Sequence, residues 1–306
     1  MQRPTKIACI GEVMIELATG LNGQANIGVA GDTYNTAVYL RKISDDDMLD
    51  VSYVTALGED SFSQKIISQI KHHGISTDHI ELREDLMPGL YAIETDEDGE
   101  RTFSYWRGQS AAKTLFQEPC KIRLDSIFDF DLIYISGISM AILPNETRVQ
   151  LIDSFKEFRK KGGKLAFDSN YRPRLWEDVE TARSVTMTMW SLADIALPSL
   201  DDEMALFGEA SEAQTLQRLA DSGVANGALK RGVEGPLALG ESTGDMTFER
   251  VTNVVDTTAA GDSFNAGYLA AHIAGQSDSE AILKGHELAS KVIQARGAII
   301  DLDKVS

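Results

Sequence analysis

Four short segments, DLIYISG (131–137), KLAFDSN (164–170), ADIALPS (193–199) and NGALKRG (226–232), decide the fold class. Each is a brief apolar run that turns polar at its C-terminal end, and helix-like stretches such as NETRVQLIDSFKEFRKK (145–161) separate them. Strands alternating with helices in this way predict an α/β fold with a parallel sheet covered on both faces. Open parallel sheets bind ligands beyond the carboxyl ends of their strands, so Asp168, Asn170, Arg172, Ser199, Lys230 and Arg231 are expected to border one cleft.

The same plan extends toward the N-terminus. KIACIG (6–11) reads as a buried strand that delivers Glu12 to a strand end. GDTYNTAVYLRKI (31–43) has helical apolar spacing, with Asp32 or Thr33 placed to cap it and Gly28 and Gly31 permitting a turn just before. VSYVTALG (51–58) alternates like a strand, and DSFSQKIISQIKHHG (60–74) is helical up to a C-capping Gly74. Leu90–Thr95 and Arg101–Trp106 flank a polar turn containing Asp98–Gly99, a hairpin pattern that puts Phe103 and Tyr105 on one face. Aromatics and an arginine on such a ribbon suit a lid over the cleft.

Composition narrows the partners. The chain has 306 residues, 43% hydrophobic and 25% charged, with 29 Lys and Arg against 47 Asp and Glu, a net charge of −18. Such proportions exclude disorder and collagen. The negative excess argues against nucleic acid or an anionic membrane surface as partner, and any anionic ligand would need its own local cations. No apolar run approaches the ~18–20 residues of a membrane span, and the opening residues lack a secretory pattern, so the expected compartment is the cytoplasm. The two cysteines, Cys9 and Cys120, form neither a CxxC pair nor a disulfide framework, which fits a reducing environment.

The densest chemical pattern is VVDTTAAGDSFNAGYLAAHIAG (254–275). Small residues Ala259, Ala260 and Gly261 lead into an apolar helix, where unpaired N–H groups and the helix dipole favour an anion. Asp262 sits in the same turn. An aspartate there is most often a simple first-turn carboxylate. Beside small residues and an anion-binding turn, it also has the placement of a proton acceptor in phosphoryl transfer.

These residues resemble the ribokinase-like carbohydrate kinases, whose D-T-x-G-A-G-D motif reads here Asp256-Thr257-Thr258-Ala259-Ala260-Gly261-Asp262, with Ala259 in place of the usual Gly. The family's Gly-rich first motif matches 28–37, with Gly31 and Asn35. Within the family, AGDTYNTAVYL (30–40), SYWRGQSAA (104–112), FDSNYRPRLW (167–176), LPSLDDE (197–203) and RGAII (296–300) are similar to the 2-keto-3-deoxygluconate kinases. The resemblance covers nearly the whole chain. It implies a single ribokinase-like domain over 1–306, a three-layer sandwich with a mostly parallel central sheet, and a small β lid built from segments near 12–35 and 85–110. It also implies ATP-dependent phosphorylation of the sugar acid's 6-hydroxyl, with Mg²⁺ travelling with ATP. Asp262 would be the base and the N–H groups of Ala259, Ala260 and Gly261 the anion hole. Gly31, Asp32, Asn35, Tyr91, Tyr105, Arg107 and Arg172 would contact the sugar acid. Asn170, Arg172, Ser199, Lys230, Gly232, Gly235 and His286 would line the nucleotide site, with Ser199-x-x-Asp202 replacing the family's Asn-x-x-Glu.

The assignment is chemically coherent. A carboxylate suits the planar fork of an arginine, and Arg107 and Arg172 converging with Lys230 would hold two anionic substrates in an acidic protein. The histidines, His72, His73, His79, His272 and His286, have no metal-cage spacing, so no metal ligand is assigned. Asp45-Asp46-Asp47 reads as a solvated face. The competing readings are a neutral-sugar kinase of the same fold and a non-catalytic sugar-binding protein. A dinucleotide-dependent dehydrogenase is weakest, because no GxGxxG follows the first strand. An exposed ribbon edge also predicts a homo-oligomer, a dimer or larger.

Overall fold

The central strands are apolar throughout because both of their faces are buried. In β1 (Thr5–Ile10), Ile7 and Cys9 enter one hydrophobic core while Ala8 and Ile10 enter another. The computed structural model describes residues 3–19, 24–45, 47–95, 101–240 and 246–304; the turn at Asp98–Gly99 and Asp46 of the acidic run lie outside them. The strands that follow are β2 (Met14–Thr19), β3 (Ala25–Ala30), β4 (Leu49–Gly58), β5 (Ile80–Arg83), β6 (Leu90–Thr95) and β7 (Arg101–Trp106). The second half adds β8 (Leu132–Ser136), β9 (Lys164–Asp168), β10 (Ile195–Ala196), β11 (Asn226–Leu229) and β12 (Leu237–Gly240).

Eight of these form one sheet in the order β12-β11-β10-β9-β8-β1-β4-β5, parallel except for β12. On one face pack α1 (Asp32–Ile43), α2 (Ser61–His72), α8 (Ala260–Ile273) and α9 (Asp278–Val292), through Tyr34, Ile66, Phe264 and Ile282. The other face is covered by α3 (Gly137–Ile142), α4 (Asn145–Lys160), α5 (Val179–Leu192), α6 (Leu200–Phe207) and α7 (Glu212–Asp221), through Met140, Phe155, Trp190, Leu206 and Leu219. The result is the expected three-layer arrangement, and none of these helices is long and apolar enough to cross a membrane.

A second, four-stranded sheet has the order β3-β2-β6-β7, with β2 and β6 parallel and both outer pairs antiparallel. Its Met14, Tyr91 and Ile93 pack with Ala30 and Ala298, which seats one face against the turn that follows α9.

Helix beginnings separate structural ends from ends available to a ligand. Asp60, Asp178, Ser211 and Ser277 cap α2, α5, α7 and α9 with their side chains. α1, α6 and α8 have no side-chain cap; α4, which follows Pro144, has none either. Asp32 and Thr33 therefore do not cap α1 as their position suggested. The helix starts at Asp32 behind Gly31, and the Asp32 carboxylate turns to Asn170 and Ser136 instead. Gly31 has no room for a side chain, since a Cβ there would lie 2.3 Å from the Glu12 carbonyl oxygen.

Gly227 is the tightest point of the central sheet. Its φ is +131°, and a Cβ would stand 1.8 Å from the Ala196 carbonyl oxygen on β10. Gly227→Ala combines overpacking with backbone strain and should cost about 3 kcal/mol. Urea unfolding checks this; an unchanged midpoint would contradict the packing described.

Candidate active site

α8 begins abruptly. Ala259 adopts the left-handed conformation, φ 61° and ψ 17°, which turns the chain into the helix without a side-chain cap. Asp256 shapes this turn: it accepts hydrogen bonds from the Thr258 N–H at 3.0 Å and the Gly297 N–H at 2.7 Å. The Ala260 N–H donates to the Thr257 carbonyl at 3.2 Å, so it is already engaged within the turn. Lys230 approaches from β11, and a Cβ on Gly261 would lie 3.6 Å from its Nζ. Backbone donors at a helix entrance and an adjacent ammonium make this an anion-binding corner.

Asp262 is half-buried at that corner. Its carboxylate accepts a hydrogen bond from Asn35 Nδ2 at 2.8 Å, and its carbonyl accepts one from the Thr36 hydroxyl at 3.1 Å. α1 thus holds the start of α8. Burial, with the nearby Asp32 charge, pushes the Asp262 carboxyl up to about 8; Asn35 and Lys230 oppose the rise. Asp32 is also raised, mainly by burial, against the Ser136 hydroxyl and the Thr33 N–H.

The end of β9 connects these groups to the nucleotide-side candidates. Asn170, forced to a φ of 30°, donates through Nδ2 to Asp32 at 2.9 Å, and its backbone N–H donates to Asp168 at 3.1 Å. Asp168 accepts from Lys230 Nζ at 2.8 Å and from Asn265 Nδ2 at 2.7 Å, and Lys230 also donates to Asn265 Oδ1 at 3.1 Å. Asp168 thus joins Asp32 (through Asn170), Lys230 and Asn265, and the Tyr134 hydroxyl, which accepts from Asn265 Nδ2 at 2.9 Å and from the Thr36 hydroxyl at 3.3 Å, links this network to the Asn35–Asp262 pair. Sequence reasoning left Asp168 without a role and missed Asn265. Its signal was present: Asn265 lies three residues after Asp262, hence near the same helix face.

The small sheet supplies the aromatic candidates and Arg107. Tyr91 stacks on Tyr105, ring centroids 5.8 Å apart, and donates its hydroxyl to Glu16. Arg107, 11% exposed, is ion-paired with Glu12, which is 1% exposed. Arg172 is 52% exposed and donates to the Tyr171 carbonyl at 2.7 Å and to Asp202 at 3.3 Å. Each arginine thus has its own acid, and among the described residues they share no hydrogen-bond partner.

On the remaining side, Ser199 pairs with Lys230 across the sheet and makes no side-chain cap to α6. Gly232 adopts φ +55° beside open space, while a Cβ on Gly235 would meet Phe248 at 2.6 Å. Phe248 also lies 4.7 Å from the His286 ring, which places His286 near the loop after β11. Among the described residues no three His, Cys, Asp or Glu side chains gather as a metal-holding group.

Relatives carry the same plan. The chain is 45% identical over 302 residues to 2-dehydro-3-deoxygluconokinase of Dickeya dadantii, covering 97% of both chains. It is 45% identical over 300 residues to the Escherichia coli K12 protein of that name, covering 96% of this chain and 97% of the other. The solved 2-dehydro-3-deoxygluconokinase of Thermotoga maritima superposes with a TM-score of 0.83 at 19% identity, over 99% of this chain and 98% of that one, a likeness of fold. The pfkB family carbohydrate kinase model matches residues 4–305. With its uncapped α8, its half-buried acid and its mostly parallel sheet, this chain belongs to the pfkB family of carbohydrate kinases.

Proposed function

We propose that this chain transfers the γ-phosphoryl group of ATP to the 6-hydroxyl of 2-keto-3-deoxy-D-gluconate, giving 2-keto-3-deoxy-6-phosphogluconate and ADP. The observation that carries the reading is the position of Asp262: a carboxylate on the uncapped first turn of α8, bonded to Asn35, with Lys230 alongside. The high identity to relatives of that name supports the substrate.

The hydroxyl oxygen forms a bond to the γ-phosphorus as the bond to the β-γ bridging oxygen breaks, and the hydroxyl proton passes to Asp262. Asn35 keeps that carboxylate aimed. The first-turn N–H groups of α8 beyond that of Ala260, which Thr257 already engages, and the Lys230 ammonium receive the charge of the moving phosphoryl group. Arg107 and Arg172 face the sugar acid, with Tyr91, Tyr105, Gly31 and Asp32 shaping its site. Asn170, Ser199, Gly232, Gly235 and His286 line the nucleotide side. Mg²⁺ fits as an ion carried by the nucleotide. The end of β9 and the first turn of α6 offer hard carboxylate oxygens, Asp168 and Asp202, which would hold its waters, and no cage of three acids gathers among the described residues. When bound, it would neutralise phosphate charge.

One observation favours a second reading. The Arg107–Glu12 pair is already close to neutral, which also suits a neutral sugar. An ATP-coupled assay across sugar acids and neutral sugars separates the two: kcat/KM for 2-keto-3-deoxygluconate should exceed that for fructose and ribose. Faster turnover of either neutral sugar would reject the sugar-acid reading.

The elevated Asp262 carboxyl makes activity pH-dependent in a defined direction. A base works only when deprotonated, so kcat/KM should rise with pH and level off above about 8. Asp32 and Asp168 hold the limb high, while Asn35 and Lys230 pull it down. Asp32→Asn should therefore move the limb to lower pH, and a limb that stays in place would show that Asp32 does not act on the base.

A further inference from the structure

Glu12 lies where β1 ends and the small sheet begins, and it is among the most deeply buried acids of the molecule. Its side chain fills the space between the roots of β6 and β7. A Cβ on Gly89 would meet Glu12 Oε1 at 2.8 Å and Arg107 Cβ at 3.2 Å. Burial raises the proton affinity of this carboxyl, and the Arg107 guanidinium and the Ser110 hydroxyl oppose the rise; Asp32, on α1, is the other charge facing it. Arg107 Nη2 is ion-paired with Glu12 Oε2, while its Nε has no acceptor among the described residues. A guanidinium carries five donors, so the pair leaves hydrogen-bonding capacity unspent.

We propose that Glu12 is the positioning residue of Arg107: by holding Nη2 it aims the guanidinium and cancels part of its charge, and so sets how tightly the carboxylate of a sugar acid is bound. The inference rests on the reading of Arg107 as a substrate contact. Two carboxylates then share one guanidinium, one from the protein and one from the ligand. The protein's carboxylate gives direction at a cost in attraction.

The two effects separate by substitution. Glu12→Gln keeps the length of the side chain and one acceptor for Arg107 while removing the competing charge, so KM for 2-keto-3-deoxygluconate should fall several-fold, by up to about tenfold. The thermal shift produced by the sugar acid should also grow, because the ligand becomes the counter-ion of a buried guanidinium. Glu12→Ala removes the aim as well, and KM for the sugar acid should rise about tenfold or more. KM for ATP should not move in either variant. Both effects should vanish in an Arg107→Ala background. A merely structural Glu12 would weaken binding in both variants alike.

Steady-state kinetics and thermal melts of the full chain decide the matter, and Glu12→Gln supplies the reading if Glu12→Ala does not fold. Opposite movements of KM, lost with Arg107, support the proposal. If Arg107→Ala raises KM for the sugar acid but Glu12→Gln leaves it unchanged or raises it, Glu12 does not set the charge of Arg107 and the inference falls alone. If Arg107→Ala leaves KM for the sugar acid unchanged, the reading of Arg107 as a substrate contact falls, and the inference with it.

Discussion

Asp262→Asn should lower kcat at least about 10²–10⁴-fold while leaving the affinity for both substrates nearly unchanged. The asparagine carbonyl still accepts the Asn35 hydrogen bond, now 2.8 Å long, so the first turn of α8 keeps its place. What it loses is the capacity to take a proton at the moment the acceptor oxygen is phosphorylated. Stability should move the other way. The carboxyl's affinity for protons in the fold, about 8, lies above its ordinary 3.8, so the native chain binds more protons than the unfolded chain between these values. The stability this group contributes is full below pH 3.8 and is lost as pH rises through about 8. An amide at 262 lacks that loss, so the variant should match or exceed the parent in urea at pH 8.5. An inactive protein that is no less stable marks a residue kept for chemistry. Equal turnover by the variant would remove Asp262 from the reaction.

Lys230→Ala carries the second large effect, and here activity and stability should fall together. The side chains of Lys230 and Asp168 are 11% and 3% exposed and lie 2.8 Å apart. Removing the ammonium leaves a buried carboxylate without a cation, at a cost of about 3–5 kcal/mol. The same ammonium faces the first turn of α8, so turnover should drop by about 10²-fold or more as the phosphoryl charge loses its partner. Lys230→Arg should rescue neither fully, because a planar fork does not fit between Asp168 Oδ2 and Asn265 Oδ1, both now bonded by one nitrogen. Thermal unfolding and steady-state kinetics on the two variants test this; a stable, active Lys230→Ala would refute the network described.

The central sheet is readable because a strand buried on both faces has no polar interruptions, and its first polar residue marks where it ends. This holds for β8 and β9, and it is how Asp168 and Asn170 were expected at the cleft. It fails for β5 and β12, four residues each, whose short runs have no period to recognise. Hairpin alternation gave β6 and β7 to the residue, yet nothing local announces that β2 would lie parallel to β6. The capping of α1 was misread for a tertiary reason. An aspartate at a helix start ordinarily serves its own first turn alone, but Asp32, beside the Thr33 N–H, is also held by Asn170, 138 residues away. Candidate residues that the structure brings together were legible where motif and topology coincide, as with Asp262 and Lys230 at the start of α8. Glu12 and Glu16 were not, because their partners Arg107 and Tyr91 lie on strands distant in sequence, and an acid at a strand end says nothing of what it will hold.

A crystal structure of the ternary complex with 2-keto-3-deoxygluconate and a non-hydrolysable ATP analogue tests the central claim most directly. The 6-hydroxyl should lie about 2.6–3.2 Å from an Asp262 carboxylate oxygen, with the terminal phosphate between that hydroxyl and the first turn of α8. A 6-hydroxyl beyond reach of Asp262 even through one water, with Asp32 or Asp168 as its nearest acid, would contradict the account.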